Sequence, residues 1–246
     1  MKVAVAGGTG VVGRHVVQVA SERGHEPVVL SRSAGVDLRN EQHVRAALEG
    51  ADVVVDAANS ATLSEQKATA FFTEVDKRLS RLGAAAGASR LVVVSIVGID
   101  RVPWSYYRAK LAQEEAARGG LLPVTIVRAT QFHEFPGQIL DRAGRGPLAI
   151  VPAMTVQPIA ARCVAEFLLD VACDPPADET VEIGGPAVES LVALARATAR
   201  RRGRRVAVVP VRVPGRSGRA MRQGALRPGP EARLLGPTFA DWVATP

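Results

Sequence analysis

The sequence predicts an α/β protein with a parallel β-sheet, and three observations lead to this fold class. Short β-branched runs alternate with longer segments of helical period over the first 130 residues, which is the pattern of βαβ units. Several of the helical segments stop at a glycine, a common helix end. Hydrophobic residues make up 47% of the 246 residues and charged residues 22%, the profile of a globular chain that can bury a sizeable core.

Strands and helices are predicted in strict alternation up to residue 130. The strands are the β-branched runs Val3–Ala6, Pro27–Leu30, Asp52–Ala57, Leu91–Val97 and Val124–Arg128. A further short strand is expected around Val36–Leu38. The helices between the strands are Val11–Arg23, Glu41–Glu49, Ser64–Ala86 and Tyr106–Arg118.

The order of elements changes after Thr130 to shorter, mixed pieces, which predict a small C-terminal α+β part. Strands are expected near Leu148–Val151 and at TVEIGG and RVAVVPVRV. Helices are expected at Phe135–Ala143, Ala161–Ala172 and Glu189–Arg201. We therefore expect one domain, in which residues 1–130 form the core and residues 131–246 form a cap that completes it.

A glycine-rich turn joins the first strand to the first helix in VAVAGGTGVVGRHVV. Gly7 allows the tight turn, Gly10 lets the backbone approach a pyrophosphate, and Gly13 lets the helix pack closely on the sheet. The N-terminus of the helix offers free N–H groups to the anion. Strand, loop and helix therefore predict a Rossmann-type, doubly wound sheet that binds NAD or NADP, the alternative being a structural turn with incidental glycines.

The residues that follow the second strand predict which dinucleotide is bound. A carboxylate there binds the ribose 2′-hydroxyl of NAD, whereas a basic residue accepts the 2′-phosphate of NADP. The sequence is VVLSRS, in which Ser31, Arg32 and Ser33 supply hydroxyls and a guanidinium but no carboxylate. NADPH is therefore expected in preference to NADH, unless Arg32 is an ordinary exposed arginine.

The chain resembles the atypical short-chain dehydrogenase/reductases, specifically the NmrA-like NAD(P)H-binding group, which includes quinone reductases and redox-sensing regulators. AGGTGVVG, SRS, Asp37-Leu38, DAAN, SIVGID, YYRAK and RATQFHEF carry the resemblance, which covers nearly the whole chain. It implies that Asp37 and Leu38 border the adenine, that Ala57–Asn59 follow the adenosine ribose, and that Ala129–Phe132 lie near the nicotinamide or substrate. The glycine motif and the resemblance together predict as cofactor contacts Gly7, Gly8, Thr9, Gly10, Val11, Val12, Gly13, Ser31, Arg32, Ser33, Asp37, Leu38, Ala57, Ala58, Asn59, Ser95, Lys110, Ala129 and Thr130.

Tyr106 and Lys110 form a YxxxK pattern, whose four-residue spacing places both side chains on one helix face. The resemblance implies that the lysine binds the nicotinamide ribose and lowers the pKa of the phenol, so that the tyrosine can protonate a carbonyl. It also implies that Ser95 holds the carbonyl oxygen. Ser95 precedes Tyr106 by only 11 residues, which is shorter than usual, and many NmrA-like relatives lack the tyrosine. The alternative is a packing role for Tyr106, with Lys110 paired to Glu114.

Polar side chains of RATQFHEF are expected near the mouth of the cleft. Gln131, Phe132 and His133 are the candidate substrate residues, and an ordinary histidine pKa would let His133 exchange protons near neutral pH. The alternative for His133 is a surface or packing role. No metal site is expected, because the histidines fall on different predicted elements. They are His15, His25, His43 and His133.

The formal net charge of +7 is unevenly distributed along the chain. The segment from Arg196 to Arg233 holds twelve arginines and one acid, Glu231, which gives +11 there and −4 elsewhere. The segment contains no helix-turn-helix, zinc finger or aromatic stacking platform, so a nucleic-acid partner is not expected. A solvated rim is the simplest interpretation, and attraction of an anionic substrate or of NADPH is the alternative.

The termini and cysteines predict the cellular context. The apolar run in MKVAVAGG is too short for a signal peptide, and no apolar window approaches the length of a membrane span. We expect a cytoplasmic protein without membrane association, in which Cys163 and Cys173 serve as packing residues. A homodimer through Ser64–Ala86 and Tyr106–Arg118 is an option by analogy with the family.

The predicted function is an NADPH-dependent oxidoreductase that transfers hydride to a quinone, a ketone or an enone. Its predicted catalytic residues are Ser95, Tyr106 and Lys110. Two alternatives stay open at this stage. One is a non-catalytic NAD(P)-sensing regulator of the NmrA type, and the other is an epimerase or dehydratase that retains its cofactor.

Overall fold

The structure is a computed structural model that describes residues 1–60, 62, 64–143, 146–175 and 180–245. The strands are β1 (Lys2–Ala6), β2 (Glu26–Leu30), β3 (Val53–Asp56), β4 (Leu91–Ile96), β5 (Val124–Ala129), β6 (Leu148–Pro152), β7 (Thr155–Val156), β8 (Thr180–Gly184), β9 (Glu189–Ser190), β10 (Ala207–Val211) and β11 (Arg233–Leu234). The helices are α1 (Gly13–Glu22), α2 (Glu41–Ala47), α3 (Glu65–Ala85), α4 (Ser105–Arg118), α5 (Phe135–Arg142), α6 (Ala161–Cys173), α7 (Leu191–Arg201), α8 (Gly215–Arg222) and α9 (Phe239–Ala244).

The main sheet has seven strands in the order β11-β8-β5-β4-β3-β1-β2. β1 pairs in parallel with β2 on one side and with β3 on the other, and β3 pairs in parallel with β4. The chain thus moves from β1 outward to β2 and then returns across β1 to β3. Open α/β sheets bind ligands at the carboxyl ends of the strands where such a reversal occurs. The predicted α/β, Rossmann-type fold with a doubly wound parallel sheet is confirmed.

The short strand expected at Val36–Leu38 is wrong, because this part of the backbone bonds to its own preceding turn. The hydroxyl of Ser31 caps a 3₁₀ turn at Arg32–Ala34, and Gly35 follows in the left-handed region with φ of 79°. The N–H of Val36 then donates to the carbonyl oxygen of Ser31 at 2.9 Å. β2 is consequently the edge strand of the sheet.

The first compact unit comprises Met1–Ser95, Ser105–Arg128 and Val164–Val181. Its core consists of the apolar side chains of the central strands and of the helices that cover them. α3 packs along α4, where Phe72 shares an apolar cluster with Ala68 and Ala109. A homodimer through these two helices stays a prediction.

The second compact unit comprises Ile96–Trp104, Ala129–Cys163 and Glu182–Pro246. It contains the parallel pair β6–β10 and the antiparallel pair β7–β9. One face of the β6–β10 pair packs on α5 and α7 through Ala149, Leu140 and Ala199. The predicted division of the chain into residues 1–130 and 131–246 stays a prediction.

Both cysteines lie on α6, and neither forms a disulfide bond within the described ranges. Cys173 is exposed, so the packing role expected for it is wrong, and its Sγ lies 3.9 Å from Nε2 of His25. Within the described ranges, no helix is long and apolar enough to cross a membrane. A metal-binding group of three or more His, Cys, Asp or Glu side chains is also absent from those ranges. The cytoplasmic compartment stays a prediction.

Candidate functional site

The glycine-rich loop, residues Gly7–Gly13, connects β1 to α1 and is shaped by close backbone contacts. Gly7 has φ of 71°, and a Cβ there would lie 2.6 Å from the carbonyl oxygen of Ala57. A Cβ on Gly13 would lie 2.2 Å from the carbonyl oxygen of Gly7. Gly10 is different, because its nearest neighbour would be 3.1 Å away and the residue is exposed. Gly7 and Gly13 thus allow the turn itself, whereas Gly10 keeps the outer surface of the loop open.

The N-terminus of α1 has no side-chain cap. Its capping position is Val12, which offers no hydroxyl or carboxylate to the first N–H groups, and the first turn contains no acid. The N–H groups of Arg14 and His15 donate to the carbonyl oxygens of Gly10 and Val12 at 3.1 and 2.9 Å, so the positive end of the helix dipole is what favours an anion here. Thr9 and Gly10 in front of the helix are exposed. The loop and the uncapped helix therefore fit a dinucleotide pyrophosphate.

Three hydroxyls gather between this loop and the end of β2. Oγ of Ser31 lies 3.1 Å from Oγ of Ser33, and the hydroxyl of Ser33 donates to Oγ1 of Thr9 at 3.3 Å. Arg32 is exposed beside them, and its guanidinium forms no hydrogen bond within the part of the chain that the structure describes. Hydroxyls and a guanidinium are suitable ligands for a phosphate.

The carboxylate of Asp37 lies near this cluster and forms an ion pair with Arg39. Nε and Nη2 of Arg39 donate to the two carboxylate oxygens at 3.1 and 2.9 Å, and the backbone N–H of Arg39 donates at 3.0 Å. These hydrogen bonds lower the pKa of Asp37 to about 2. Leu38, the next residue, is buried. The sequence analysis missed Arg39, although a basic residue two positions after an acid is a visible signal.

The segment Ala57–Asn59 follows β3 and ties this region to α4. Its turn is held by the carboxylate of Asp56, which accepts the N–H of Ala58 at 2.8 Å. Oδ1 of Asn59 accepts a hydrogen bond from the hydroxyl of Tyr106 at 2.8 Å. Because the same segment contacts the glycine-rich loop, Tyr106 is linked to the dinucleotide site through one side chain.

Tyr106 and Lys110 lie on one face of α4, as their spacing predicts, and both contact Phe72. The rings of Tyr106 and Phe72 meet edge to face with centroids 6.1 Å apart, and Nζ of Lys110 lies 5.0 Å from the Phe72 centroid. Lys110 is only 4% exposed. Its Nζ donates to the carbonyl oxygen of Val94 at 2.7 Å and to Oε1 of Gln113. The alternative pairing of Lys110 with Glu114 is therefore not the arrangement observed.

Lys110 belongs to a buried polar cluster, formed with Asp56, Asp76 and Gln113, that the sequence analysis missed. Nε2 of Gln113 donates to Oδ2 of Asp56 at 2.8 Å. Asp76 is fully buried, and neither of its carboxylate oxygens has a hydrogen-bond partner in the described ranges. A signal for Asp76 was present, because it lies four residues after Phe72 on the apolar side of α3.

The protonation of this cluster follows from its burial. Burial, and next to it the neighbouring Asp56 carboxylate, raise the pKa of Asp76 well above its ordinary value. Burial lowers the pKa of Lys110, against the opposing effect of the nearby carboxylates of Asp56, Asp76 and Glu114. Burial thus disfavours the charged form of both Asp76 and Lys110.

Ser95 forms a hydrogen bond with a buried side chain of α4. It is 1% exposed, and its hydroxyl donates to Oε1 of Glu114 at 2.5 Å. Glu114 also accepts Nε and Nη2 of Arg128 at 2.9 and 2.7 Å. The hydroxyl would have to leave Glu114 before it could bind a substrate oxygen, and this predicted catalytic role of Ser95 stays a prediction.

The residues from Ala129 to Phe132 lie in the second unit. Ala129 is buried, and the hydroxyl of Thr130 donates to the carbonyl oxygen of Gln157 at 2.6 Å. Phe132 forms an isolated parallel bridge with Ile159. The amide oxygen and nitrogen of Gln131 are both buried, and neither has a partner in the described ranges. Gln131 therefore has unused capacity for hydrogen bonds.

His133 does not have the exposed position expected for it. The side chain is buried against the rings of Phe239 and Trp242, with centroid distances of 5.4 and 5.3 Å, and those two rings also contact each other at 5.6 Å. Its Nε2 lies 3.2 Å from the carbonyl oxygen of Pro237, which can only accept, so Nε2 carries the proton. Burial lowers the pKa of His133, and the ring is neutral at neutral pH. This geometry agrees with the packing role given above as the alternative for His133. The two rings that it contacts, Phe239 and Trp242, lie near the C-terminus.

The fold and the loop define a Rossmann-type dinucleotide-binding protein. Residues 7–175 match the family described as NAD(P)H-binding, and the chain belongs to that family. This match confirms the NAD(P)H-binding family that the resemblance implied, and the structural likenesses that follow confirm the fold.

The chain is also similar to one curated protein in sequence and to two solved structures in fold. It is 30% identical over 219 residues to the chloroplastic divinyl chlorophyllide a 8-vinyl-reductase of Zea mays, a match that covers 75% of this chain and 55% of that protein. The chain thus spans about half the length of this relative. A dTDP-4-dehydrorhamnose reductase ortholog from Clostridium acetobutylicum is 18% identical, with a TM-score of 0.69 over 86% of this chain and 84% of that one. A short-chain dehydrogenase/reductase superfamily protein from Agrobacterium tumefaciens with bound NAD is also 18% identical, with a TM-score of 0.66 over 86% of each chain.

Proposed function

We propose that this protein is an NADPH-dependent reductase that transfers hydride to a quinone, a ketone or an enone. The observation that carries the proposal is the hydrogen bond from Tyr106 to Asn59. It ties a proton-donating phenol to the segment that packs on the glycine-rich loop, where a Cβ on Gly7 would meet Ala57 and Ala58. The NAD(P)H-binding family and the reductase relative from Zea mays support the same class of reaction.

The preference for NADPH is supported by charge at the end of β2. Thr9, Ser31 and Ser33 form a hydroxyl cluster beside the exposed guanidinium of Arg32. The nearby carboxylate of Asp37 is neutralised by Arg39 and does not offer a free acceptor for a ribose hydroxyl. A 2′-phosphate would therefore meet donors and a positive charge, which is the recognition expected for NADP.

The chain's own residues would hold and supply the proton of the reaction. The hydride of the reaction would come from a nicotinamide bound at the glycine-rich loop. Tyr106 would donate its hydroxyl proton to the substrate oxygen after that hydroxyl leaves Oδ1 of Asn59, which accepts it at 2.8 Å and orients the phenol beforehand. Lys110 would favour the phenolate that forms, because its Nζ and the Tyr106 ring contact the same Phe72 ring and a positive charge near a phenol favours the ionised form.

The substrate residues proposed in the second unit are Gln131, Phe132 and His133. Gln131 has the strongest support, because both polar atoms of its amide lack a protein partner in the described ranges. An amide can accept and donate, which suits a carbonyl or a hydroxyl of a quinone-type substrate. His133 would contribute through its buried aromatic cluster and not as an exchanger of protons.

A second candidate function is a non-catalytic protein that senses NAD(P)H. The burial of Lys110 and the engagement of Ser95 with Glu114 favour it, because neither side chain is free for substrate in this geometry. The two candidates differ in whether bound NADPH is consumed.

The test of the reaction is NADPH and NADH consumption with a panel of quinones, ketones and enones. We expect turnover with NADPH and a fall in kcat of about 100-fold or more in Tyr106→Phe with a ketone, since general acid catalysis contributes about 100-fold or more. Tyr107→Phe is the matched control, because Tyr107 is the adjacent tyrosine and should keep kcat within a factor of two of the parent. Tight NADPH binding without any consumption would favour the sensing function, and unchanged turnover in Tyr106→Phe would remove the phenol from the mechanism.

The test of cofactor preference is the Kd of NADPH and of NADH for Arg32→Ala. We expect the Kd of NADPH to rise about 10-fold or more and that of NADH to change little, since charge-assisted hydrogen bonds to a phosphate are worth about 1.5–3 kcal/mol. Arg45→Ala is the control, because Arg45 pairs with Glu41 on α2 and does not belong to the hydroxyl cluster. An equal loss of affinity for both dinucleotides would contradict the proposed preference.

A further inference from the structure

The β6–β10 sheet in the second unit has an apolar outer face that no other described part of the chain covers. Alternate residues point to opposite sides of a strand, and on β6 the inward residues Ala149 and Val151 are fully buried. The strands are in register, with Ile150 beside Val209. Leu148 is 57% exposed and Ile150 is 66% exposed. The outer face, as we define it, consists of Leu148, Ile150, Val209 and Val211, all of them exposed.

The two strands of the outer face lie in stretches of the sequence whose charged residues are all basic. No Asp or Glu occurs in residues 142–165 or 190–230, which include both strands. Arg205 lies just before β10 and Arg212 directly after it, and both are exposed. Neither guanidinium forms a hydrogen bond or an ion pair within the described ranges.

Other arginines of the same basic segment have structural roles. Arg201 and Arg204 donate to backbone carbonyl oxygens of α9 and α5 at 3.1 and 2.8 Å. Arg202 forms an ion pair with Asp141 at 2.9 Å. The positive charge around the outer face therefore comes from arginines that the fold itself does not use, and a solvated rim does not explain why they border apolar side chains.

The outer face has an apolar centre with arginines at its border, and this combination indicates which class of partner can bind there. A second copy of this chain does not fit, because pairing two outer faces would place Arg205 and Arg212 of both copies against each other. Nucleic acid does not fit either, since the outer face has no aromatic side chain on which a base could stack. An anionic phospholipid surface offers both an acyl boundary and phosphate groups.

We propose that the outer face docks on anionic phospholipid membranes, with Leu148 and Ile150 at the acyl boundary and with Arg205 and Arg212 on headgroup phosphates. This site is independent of the proposed reductase activity. The expectation of no membrane association came from the lack of a spanning segment, and peripheral binding by a surface does not require one.

Sedimentation of the full chain with vesicles tests the proposal. We compare phosphatidylcholine vesicles with vesicles that also contain phosphatidylglycerol, at low and at high salt. The parent protein should bind the anionic vesicles, bind neutral ones weakly, and lose affinity as salt rises. Arg205→Gln/Arg212→Gln should lower the partition coefficient about 25-fold, since each basic residue near an anionic surface is worth about fivefold. Arg45→Gln, an exposed arginine of the first unit, should bind as the parent does.

The apolar contribution is tested by Leu148→Ser/Ile150→Ser, which should lower the partition coefficient about 10-fold or more. Leu121→Ser is the matched control, because Leu121 is an exposed leucine outside this face. NADPH binding and circular dichroism confirm in each variant that the fold is kept. Absence of binding to anionic vesicles overturns the proposal, as does unchanged binding in Leu148→Ser/Ile150→Ser. Binding to DNA but not to vesicles, or dimerisation abolished by Leu148→Ser/Ile150→Ser, would assign the face to a different partner and equally overturn it.

Discussion

The glycine-rich loop and the buried polar cluster lie in the same unit, but different forces hold them. The loop uses backbone atoms and small residues, and its outer surface at Gly10 is open to solvent. The cluster uses side chains brought from three elements, with Asp76 on α3, Lys110 on α4 and Asp56 on β3, and it is closed to solvent. The loop is therefore ready to receive a ligand, whereas the cluster can affect a ligand only through charge and through the position of α4.

Gly13→Ala should have the largest effect in the loop. The new Cβ would lie 2.2 Å from the carbonyl oxygen of Gly7, a backbone atom that cannot move away freely. We expect a loss of about 3 kcal/mol or more in the free energy of unfolding, at the upper end for overpacking, and no measurable NADPH binding. Urea denaturation and NADPH titration check both. Gly10→Ala separates the two effects, because it should keep the stability and weaken NADPH binding. Equal stability of the two variants would show that the loop is not held by this contact.

Lys110→Met should have the next largest effect, and it acts on the cluster. The substitution leaves the carbonyl of Val94 and the amide of Gln113 without their donor in a buried place. We expect a loss of about 2 kcal/mol in the free energy of unfolding, because buried polar groups that lose a partner cost about 1–3 kcal/mol each. Chemical denaturation at neutral pH measures it. A change below about 0.5 kcal/mol would mean that Lys110 does not organise the cluster.

Asp76→Asn should change how stability depends on pH. Because the folded-state pKa of Asp76 is raised above the ordinary 3.8, its contribution to stability is fully present below that value and is lost as pH rises through the folded-state pKa. The amide cannot ionise, so the variant should lack this loss and gain about 1 kcal/mol or more over the parent on the alkaline side, since one pKa unit corresponds to about 1.4 kcal/mol. Denaturation curves from acidic to alkaline pH provide the check. Parallel stability profiles for parent and variant would contradict the burial of an ionisable acid.

His133→Gln should have the smallest effect. The pH dependence of stability that His133 causes is opposite in direction to that of Asp76. The pKa of His133 is lowered from 6.5, so its contribution to stability is present above that value and is lost as pH falls through the folded-state pKa. The parent should lose roughly 1 kcal/mol on acidification that the variant does not lose. Unfolding followed by tryptophan fluorescence suits this test, because Trp242 contacts the ring. His25→Gln, in the first unit, is the control and should follow the parent, and if His133→Gln also follows it, His133 is not the titrating group.

Most of the fold could be predicted because it depends on patterns that are local in sequence. Apolar runs such as Val53–Asp56 lie in the sheet as expected, and α4 begins within one residue of its prediction. The strand expected at Val36–Leu38 failed, because the hydroxyl of Ser31 and the left-handed Gly35 close a turn that competes with β-pairing. The β-propensity of residues 36–38 does not account for the competing turn that precedes them.

The candidate site was predictable to a different degree in each part. The spacing of Tyr106 and Lys110 correctly predicted a shared helix face, because helix geometry follows from separation along the chain. The burial of Lys110 and the hydrogen bond from Ser95 to Glu114 were not predictable in this way. Each depends on which side chain from another element arrives opposite, and the aromatic residues around His133 come from more than 100 residues further along the chain.

By itself, the sequence determined the parallel sheet, the glycine-rich loop and the lack of a carboxylate at Ser31–Ser33, because these follow from residue type and spacing over a few positions. Only the tertiary structure decided that Asp76 is buried beside Asp56, that His133 packs against two aromatic rings, and that an apolar face of the β6–β10 sheet is exposed. Burial is the physical reason for this difference. A side chain's pKa, its hydrogen-bond partners and its access to solvent depend on distant parts of the chain, and folding alone brings those parts together.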